Sequence, residues 1–266
     1  MTEQNSDNRL EEFDIIQISD AVCSNTKISV ARELPVTIIL NNKELVTLLG
    51  SPTELDYLAV GYLYSEGFIN AKNAIQEVLV DDVRGIVRIN TSETVQINED
   101  TTFKRLITSG CGRGISFYSA ADIYNQKVTS QMKITVQEIF ELVLAFQRKS
   151  ELYQSTHGVH SAALCDNRKI LVVGEDIGRH NAIDRIFGQC LMNDIPINDR
   201  MIITSGRVSS EILHKIAKRN IPIIASISAP TNLSVKIAES LGITLVCRIL
   251  GKHRMNIHTN DWRIIR

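Results

Sequence analysis

The segment Leu106-Ile107-Thr108-Ser109-Gly110-Cys111-Gly112-Arg113-Gly114 sets one thiol and one guanidinium among three glycines, directly after a short apolar run that reads as a strand end. Glycine adopts backbone angles that other residues avoid and leaves its neighbour uncovered. Such a loop presents the Cys111 thiol, and the charge of Arg113 favours the nucleophilic thiolate. The same residues also suit a glycine turn that happens to hold a small apolar side chain, and the loop position alone does not choose between the two.

Three further loops are richer in polar groups and glycine than a core requires. Glu175-Asp176-Ile177-Gly178-Arg179-His180-Asn181-Ala182 leads from a hairpin into a helix, where donors suit an anion or a ligand hydroxyl. Ordinary capping by Asp176 or Asn181 explains part of it, but Arg179 and His180 exceed what a cap needs. Thr204-Ser205-Gly206-Arg207-Val208-Ser209-Ser210-Glu211 lies between a buried strand and a helix. There Ser205, Gly206 and Arg207 are candidate ligand contacts: Gly206 lets backbone N–H groups approach a phosphate, and Arg207 can pair with one bidentately. No Walker lysine follows the glycine, which argues against a P-loop NTPase. Ser228-Ala229-Pro230-Thr231 places proline at a helix start and reads as structural. Thr108-Ser109-Gly110 and Thr204-Ser205-Gly206 are one turn device used twice.

His157-Gly158-Val159-His160 invites a metal reading, but zinc needs three or four ligands and the chain has no Cys-x-x-Cys or His-x-Glu partner. No metal site is expected, and packing or ligand contacts fit these histidines better. Cys165, Cys190 and Cys247 fall at apolar strand or helix positions and read as inert core thiols. Cys23 precedes the first clear strand, and His214 reads as a surface residue of a helix. The tail from Lys252 to Asn260 alternates like an edge strand with one polar face, though a solvated terminus fits it as well.

The elements that must position these groups are legible in outline. Val36–Leu40 and Lys43–Leu48 flank Asn41-Asn42 as a hairpin. Ser51-Pro52-Thr53-Glu54 resembles a capping box before a helix through Leu55, Leu58, Ala59, Tyr62 and Leu63, which Gly67 stops. Val78–Asp82 and Gly85–Asn90 form a second hairpin, and Val95-Gln96-Ile97 a further strand. Thr135-Val136-Gln137-Glu138 is another capping box, and Ser161–Cys165 pairs with Lys169–Val173. Strands then alternate with helices whose apolar faces hold Ala182, Ile186 and Phe187, then Ile212 and Ile216, then Ile237 and Leu241. That alternation predicts a layered α/β fold with a partly parallel sheet. The division expected is a disordered N-terminus over 1–25, a smaller N-terminal α+β domain over 26–115 and an α/β domain over 116–266, with Cys111 near the junction.

The 266 residues suffice for one large or two small cores. A formal net charge of -1 gives no bulk signal for a nucleic acid partner. Five cysteines without paired spacing argue against a secreted disulfide scaffold. The polar, acidic first dozen residues and the absence of any run near the ~20 apolar residues of a membrane helix point to a cytoplasmic chain without a membrane partner.

Six segments in order resemble the formate dehydrogenase accessory sulfurtransferases, the FdhD/NarQ family. They are Tyr64-Ser65-Glu66-Gly67, Thr108-Ser109-Gly110-Cys111-Gly112, His157-Gly158-x-His160-x-Ala162, Glu175 through Asp184, Thr204 through Glu211 and Ser228 through Thr231. The resemblance implies a sulfurtransferase that takes sulfur from a cysteine desulfurase as a persulfide. It passes that sulfur to the molybdenum (or tungsten) bis-guanine-dinucleotide cofactor before this enters formate dehydrogenase. It further implies a cytidine-deaminase-like α/β domain without zinc, with Cys111 as the persulfide carrier. The family's cofactor-binding stretch falls on Met255, Asn256, Ile257, His258, Thr259 and Asn260, to which Ser205, Gly206 and Arg207 are added as nucleotide contacts. A homodimer would suit the two similar halves of that cofactor.

One departure matters. Many relatives carry Cys-x-x-Cys in this loop, whereas Gly114 holds the second position here, so no disulfide can close between those two positions. Either Cys111 suffices, which is the preferred reading, or another thiol such as Cys165 approaches it, or this member has reduced activity. The competing function is a non-catalytic chaperone that binds and delivers the same cofactor. A nucleobase deaminase is disfavoured by the missing zinc ligands.

Overall fold

The structure is a computed structural model that describes residues 8–92, 106–107, 115–116 and 127–266. The chain opens with two ten-residue strands, β1 (Leu10–Ser19) and β2 (Val22–Ala31), paired antiparallel around Asp20 and Ala21. This differs from the disordered N-terminus expected over 1–25. Polar residues dominate that stretch, and cross-strand pairs such as Phe13 with Ile28 are too sparse to announce a hairpin.

The next unit is a four-stranded sheet of β3 (Leu34–Leu40), β4 (Lys43–Gly50), β5 (Ile75–Asp81) and β6 (Ile86–Thr91), in the order β4-β3-β6-β5. Asn41 and Asn42 both have positive φ, 48° and 65°, as the two-residue hairpin turn with the strands' own twist requires. Helix α1 (Leu55–Glu66) covers the sheet, burying Leu55, Leu58, Ala59 and Leu63 against Val36, Ile38 and Leu40. It begins without the capping box expected at Ser51. Glu54, its N-cap, is left-handed with φ 45° and no side-chain cap. Ser51 is instead engaged across the domain junction: its N–H donates to Asp176 at 3.0 Å and its carbonyl accepts from Arg185 at 2.7 Å.

Leu106–Ile107 (β7) and Ile115–Ser116 (β8) pair antiparallel. The expected strand at Val95-Gln96-Ile97 lies outside the described residues. Beyond them come β9 (Ile134–Thr135), α2 (Val136–Lys149), α3 (Glu151–Thr156), β10 (His160–Cys165), β11 (Ile170–Asp176) and α4 (Arg179–Met192). Then follow β12 (Met201–Thr204), α5 (Ser210–Lys218), β13 (Ile223–Ser226), α6 (Asn232–Leu241), β14 (Thr244–Leu250), β15 (Arg254–Thr259) and β16 (Ile264–Ile265). The capping box at Thr135 forms as expected, with Glu138 N–H donating to its hydroxyl and Glu138 accepting from its N–H.

Six strands join in the order β11-β10-β12-β13-β14-β15. The pairs β12/β13 and β13/β14 are parallel and the other neighbours antiparallel. Alternating side chains supply two cores. Ala162, Leu164, Ile202, Ile224 and Leu245 face α4, α5 and α6, while Ala163, Ile203, Ile223 and Val246 face α2. A mixed sheet with helices on both faces is the α/β class that the pattern predicts.

Helix α1 also packs on α4, and two glycines permit the close approach. A Cβ on Gly61 would lie 1.7 Å from the Asp184 carbonyl oxygen, and one on Gly188 would lie 1.9 Å from that of Tyr57. At this contact Lys215 is buried with Asp184 at 2.8 Å, Glu66 at 3.0 Å and the Ser65 hydroxyl at 2.9 Å. Burial would strip the charge from Lys215, but Asp184 and Glu66 hold its ammonium above the usual lysine range.

His214 is buried at 8% exposure, not on the surface as expected. It lies in the run Ile212–Ala217 of α5, which is buried all round the helix and not only on its apolar face. Burial, with the charge of Lys218, pushes its imidazole down to about 4. The unfolded chain therefore binds the extra proton first as pH falls. Stability contributed by neutral His214 is present above about pH 6.5 and lost by about pH 4, a swing of about 3 kcal/mol. Denaturant melts between pH 6.5 and pH 4 should show wild type losing about 3 kcal/mol more stability than His214→Gln; parallel acid profiles would rule the effect out.

Candidate functional site

The site is built where three strands end. Strands β11, β12 and β13 run in one direction and β10 against them, so His160 at the start of β10 lies level with Asp176 at the end of β11. The loop after β12 is pinned on every side. Ser205 N–H donates to the Ser161 carbonyl at 2.9 Å, and its hydroxyl accepts from Ser161 N–H at 2.9 Å. Gly206 N–H donates to the Thr204 hydroxyl at 3.1 Å, and the Gly206 carbonyl accepts from the Ser226 hydroxyl at 2.8 Å. Val208 pairs with the loop after β13, donating to the Ala229 carbonyl at 3.1 Å and accepting from Thr231 N–H at 3.0 Å. Ser228-Ala229-Pro230-Thr231 thus braces the Ser205–Arg207 loop, besides capping α6.

Polar side chains gather on that platform. His160 Nδ1 lies 3.4 Å from the Ser205 hydroxyl. His180 Nε2 lies 3.0 Å from a Glu211 carboxylate oxygen and 3.3 Å from the Ser209 hydroxyl. Burial first, then the charges of Arg179 and His180, hold the His160 imidazole below its usual range, against the pull of Asp176. Burial works to raise the Glu211 carboxyl, but the hydrogen bond and charge of His180, with Arg179, hold it below the usual range. Arg207 is exposed at the rim. A cavity of about 300 Å³ opens beside Ser205 and Ile227, walled by Phe146, Tyr153 and Gln154.

The Glu175–Asp184 segment divides between structure and site. Asp176 is fully buried and accepts from Ser51 N–H, Gly178 N–H, the Asn181 amide and the Arg185 guanidinium at 2.7–3.0 Å. Glu175 accepts from Leu152 and Tyr153 N–H and from the Ser161 hydroxyl. Asn181 reaches back to the Leu49 carbonyl at 2.7 Å. Arg179 and His180 turn to the loop edge instead: a Cβ added to Gly206 would lie 2.8 Å from the Cβ of Arg179. Sequence reasoning missed the engagement of Glu211 and Ser209 with His180. Its only signal was their place in the Thr204–Glu211 run.

The structure brings Ser205, Gly206 and Arg207 together with these groups. Cys111 lies outside the described residues, between β7 and β8 in sequence. Met255 to Asn260 forms edge strand β15 and its exit. Met255 and Ile257 pack on the α2-side core, and Asn256 and His258 are exposed. Thr259 and Asn260 are absorbed in packing. The Thr259 hydroxyl donates to the Ile243 carbonyl at 2.7 Å, and the Asn260 amide donates to the carbonyls of Ile243 at 3.0 Å and Ala238 at 3.2 Å. Because β15 runs against β14, pairing Asn256 with Cys247 and Thr259 with Leu245, its end leads away from the Ser205–Arg207 edge.

Cys165, Cys190 and Cys247 are buried free thiols that burial pushes up to about 12. Cys23 is a free, exposed thiol on β2. His157 is exposed and packs edge-on to Tyr153. Among the described residues no three His, Cys, Asp or Glu side chains are grouped to hold a metal ion, and no helix is long and apolar enough to cross a membrane.

Against known proteins, the FdhD/NarQ family model matches residues 31–265. The sulfur carrier protein FdhD of Bacillus pumilus (strain SAFR-032) is 40% identical over 236 residues, covering 88% of this chain and 90% of that protein. The sulfur carrier protein FdhD of Bacillus subtilis (strain 168) is 37% identical over 257 residues, covering 96% and 95%. The crystal structure of a formate dehydrogenase accessory protein from Desulfotalea psychrophila superposes with a TM-score of 0.79 at 25% identity, covering 96% of this chain and 99% of that one.

Proposed function

This chain belongs to the FdhD/NarQ family, and on that premise we propose that it carries sulfur as a persulfide on Cys111 from a cysteine desulfurase to the molybdenum (or tungsten) bis-guanine-dinucleotide cofactor required by formate dehydrogenase. The observation that supports this most is the fate of the other thiols. Cys165, Cys190 and Cys247 are buried, and at about 12 they hold almost no thiolate at neutral pH. Cys23 precedes the residues that match the family. Cys111 is the remaining cysteine, and it stands in the glycine-rich loop. Cys165, locked in the sheet core, is badly placed to act as a second thiol, which favours Cys111 working alone.

The first transfer balances without an outside oxidant. The Cys111 thiolate attacks the terminal sulfur of the donor persulfide. A new S–S bond forms to Cys111, the donor's S–S bond breaks, and the donor cysteine leaves as thiolate. The terminal sulfur would then pass to the cofactor, which is substrate here: the S–S bond to Cys111 breaks, Cys111 leaves as thiolate with the bonding pair, and the electron pair of the new bond comes from the cofactor's reduced metal. Arg207, exposed at the rim, would hold the cofactor's nucleotide part with the Ser205 hydroxyl beside it, while Gly206, whose N–H and carbonyl are already bonded to Thr204 and Ser226, would contribute by leaving room. Met255 to His258 would offer a second contact through the exposed Asn256 and His258, while Thr259 and Asn260 would act through the fold.

A cytidine-deaminase-like layering, a homodimer and a cytoplasmic location belong to the same proposal. A mixed sheet covered on both faces supports the first, and free thiols support the last. The test separates a carrier from a chaperone. Protein loaded by a desulfurase and cysteine should activate formate dehydrogenase assembled with sulfur-free cofactor, and unloaded protein should not. Equal activation by unloaded protein would favour cofactor delivery alone.

A further inference from the structure

We propose that the outer edge of β15, with the groove under α2, docks an extended segment of a partner protein whose side chains alternate between apolar and acidic. β15 ends the six-stranded sheet, and among the described residues no strand pairs with its outer side. No backbone group of Met255 to His258 bonds to backbone outside the pair with β14 there. Open edges are commonly guarded by lysine, proline or a bulge. Here Met255-Asn256-Ile257-His258-Thr259 carries no Lys, Arg, Asp, Glu or Pro. The irregularities lie on the inner ladder instead, between Leu245 and Val246 and between Cys247 and Leu250 of β14. Six residues of strand span about 20 Å, enough for main-chain pairing with a short peptide.

The two faces of β15 dictate what such a segment must carry. Met255 and Ile257 turn to the α2 side, half-buried at the margin of that core with Val136 and Phe140. Val136 and Phe140 also line a cavity of about 540 Å³ that opens between the first two turns of α2, the end of β16 and the β14–β15 turn. Ile265, 49% exposed, extends its apolar wall, and Lys252 and Arg266 stand on its rim. Side chains of an added strand that point to this side meet apolar surface, and those that point the other way run alongside Arg254, which alternation puts on the opposite face. Arg248, Lys252 and Arg254 are exposed and form no ion pair among the described residues, and the run from 248 to 254 holds no acid. The acids nearby are committed: Asp261 pairs with Arg266 at 2.6 Å, and Glu141 accepts from Gln137 at 2.8 Å. Charge complementarity therefore selects an acidic occupant, and the pleat puts its acids at alternate positions. The matching strand of a second copy would offer Asn256 and His258 there, not acids.

Fluorescence anisotropy of the full chain tests this with a labelled octapeptide of alternating valine and glutamate. It should bind, whereas the valine–lysine counterpart and an octaglutamate should bind at least about 10-fold more weakly. Methylating its amide nitrogens, at all valines or at all glutamates, should cost as much in one of the two cases, since alternate amides of a paired strand face its neighbour. Ile265→Asp and the double reversal Lys252→Glu/Arg254→Glu, all at exposed positions, should each weaken the valine–glutamate peptide by about 10-fold while keeping wild-type circular dichroism and sedimentation. Cys111→Ala should bind it as wild type does, so a failure of sulfur carriage leaves this result untouched. No binding at millimolar peptide, octaglutamate or both methylated peptides binding as well as the alternating one, or undiminished binding in both variants would overturn the assignment. A variant that turned a dimer into a monomer in sedimentation would give the edge to a second copy and overturn it too.

Discussion

Cys111→Ala is expected to leave formate dehydrogenase activity at the empty-vector background in a strain lacking its own accessory protein, while Cys23→Ala restores it as wild type does. The expectation rests on the chemistry of the remaining thiols. A persulfide carrier must present a thiolate to two large partners in turn. The three buried cysteines are closed to both partners and held protonated at about 12. No disulfide relay is available through residue 114, which is glycine. The loss should therefore be complete, with no fraction rescued by a neighbouring cysteine. Activity in the Cys111→Ala strain matching wild type would remove sulfur carriage from the account and leave cofactor delivery as its function.

Lys215→Met should destabilise the fold by about 3–5 kcal/mol, because removing one member of a buried ion cluster leaves the others uncompensated. Lys215 is 4% exposed and meets Asp184, Glu66 and Ser65 at 2.8–3.0 Å, joining α1, α4 and α5 at one point. Without the ammonium, two carboxylates face each other out of water. Urea melts should show the loss directly. The double variant Lys215→Met/Asp184→Leu should regain part of it, since apolar groups of similar size can replace a buried pair at little cost. A change below about 1 kcal/mol in Lys215→Met would mean that water reaches the cluster and screens it.

This cluster also gives a structural meaning to Ser65, Glu66 and Asp184, residues that mark the family resemblance without touching the proposed site. Arg185 does the same for the neighbouring junction. Its guanidinium bonds Asp176 and the carbonyls of Ser51, Thr53 and Glu54, stitching the smaller unit to the six-stranded sheet. Much of what looks like active-site polarity in Glu175–Asp184 is therefore the internal wiring of two packed units.

The fold was legible where local chemistry decides it. Asn41-Asn42 predicts a turn because asparagine tolerates positive φ, and the Thr135–Glu138 spacing predicts a cap because its hydrogen bonds are local. Reading failed where distant partners decide. Ser51 looks like a cap, but Asp176 and Arg185, more than a hundred residues away, claim its backbone. His214 looks exposed because histidine is polar, yet α5 is buried all round from Ile212 to Ala217. The candidate site followed the same rule. Ser205, Gly206 and Arg207 were visible as a loop after a strand, whereas the pairing of His180 with Glu211 depends on how α4 and α5 start side by side. The split within Met255–Asn260 depends on the direction of β15 against β14, which alternation in sequence does not state.

The most direct measurement of the central claim is intact and peptide mass spectrometry of the chain after incubation with a cysteine desulfurase and cysteine. A gain of about 32 Da, one sulfur atom, should appear on the peptide containing Cys111 and vanish on reduction, with none on peptides containing Cys165, Cys190 or Cys247. A reducible sulfur adduct on another cysteine, with Cys111 unmodified, would contradict the account.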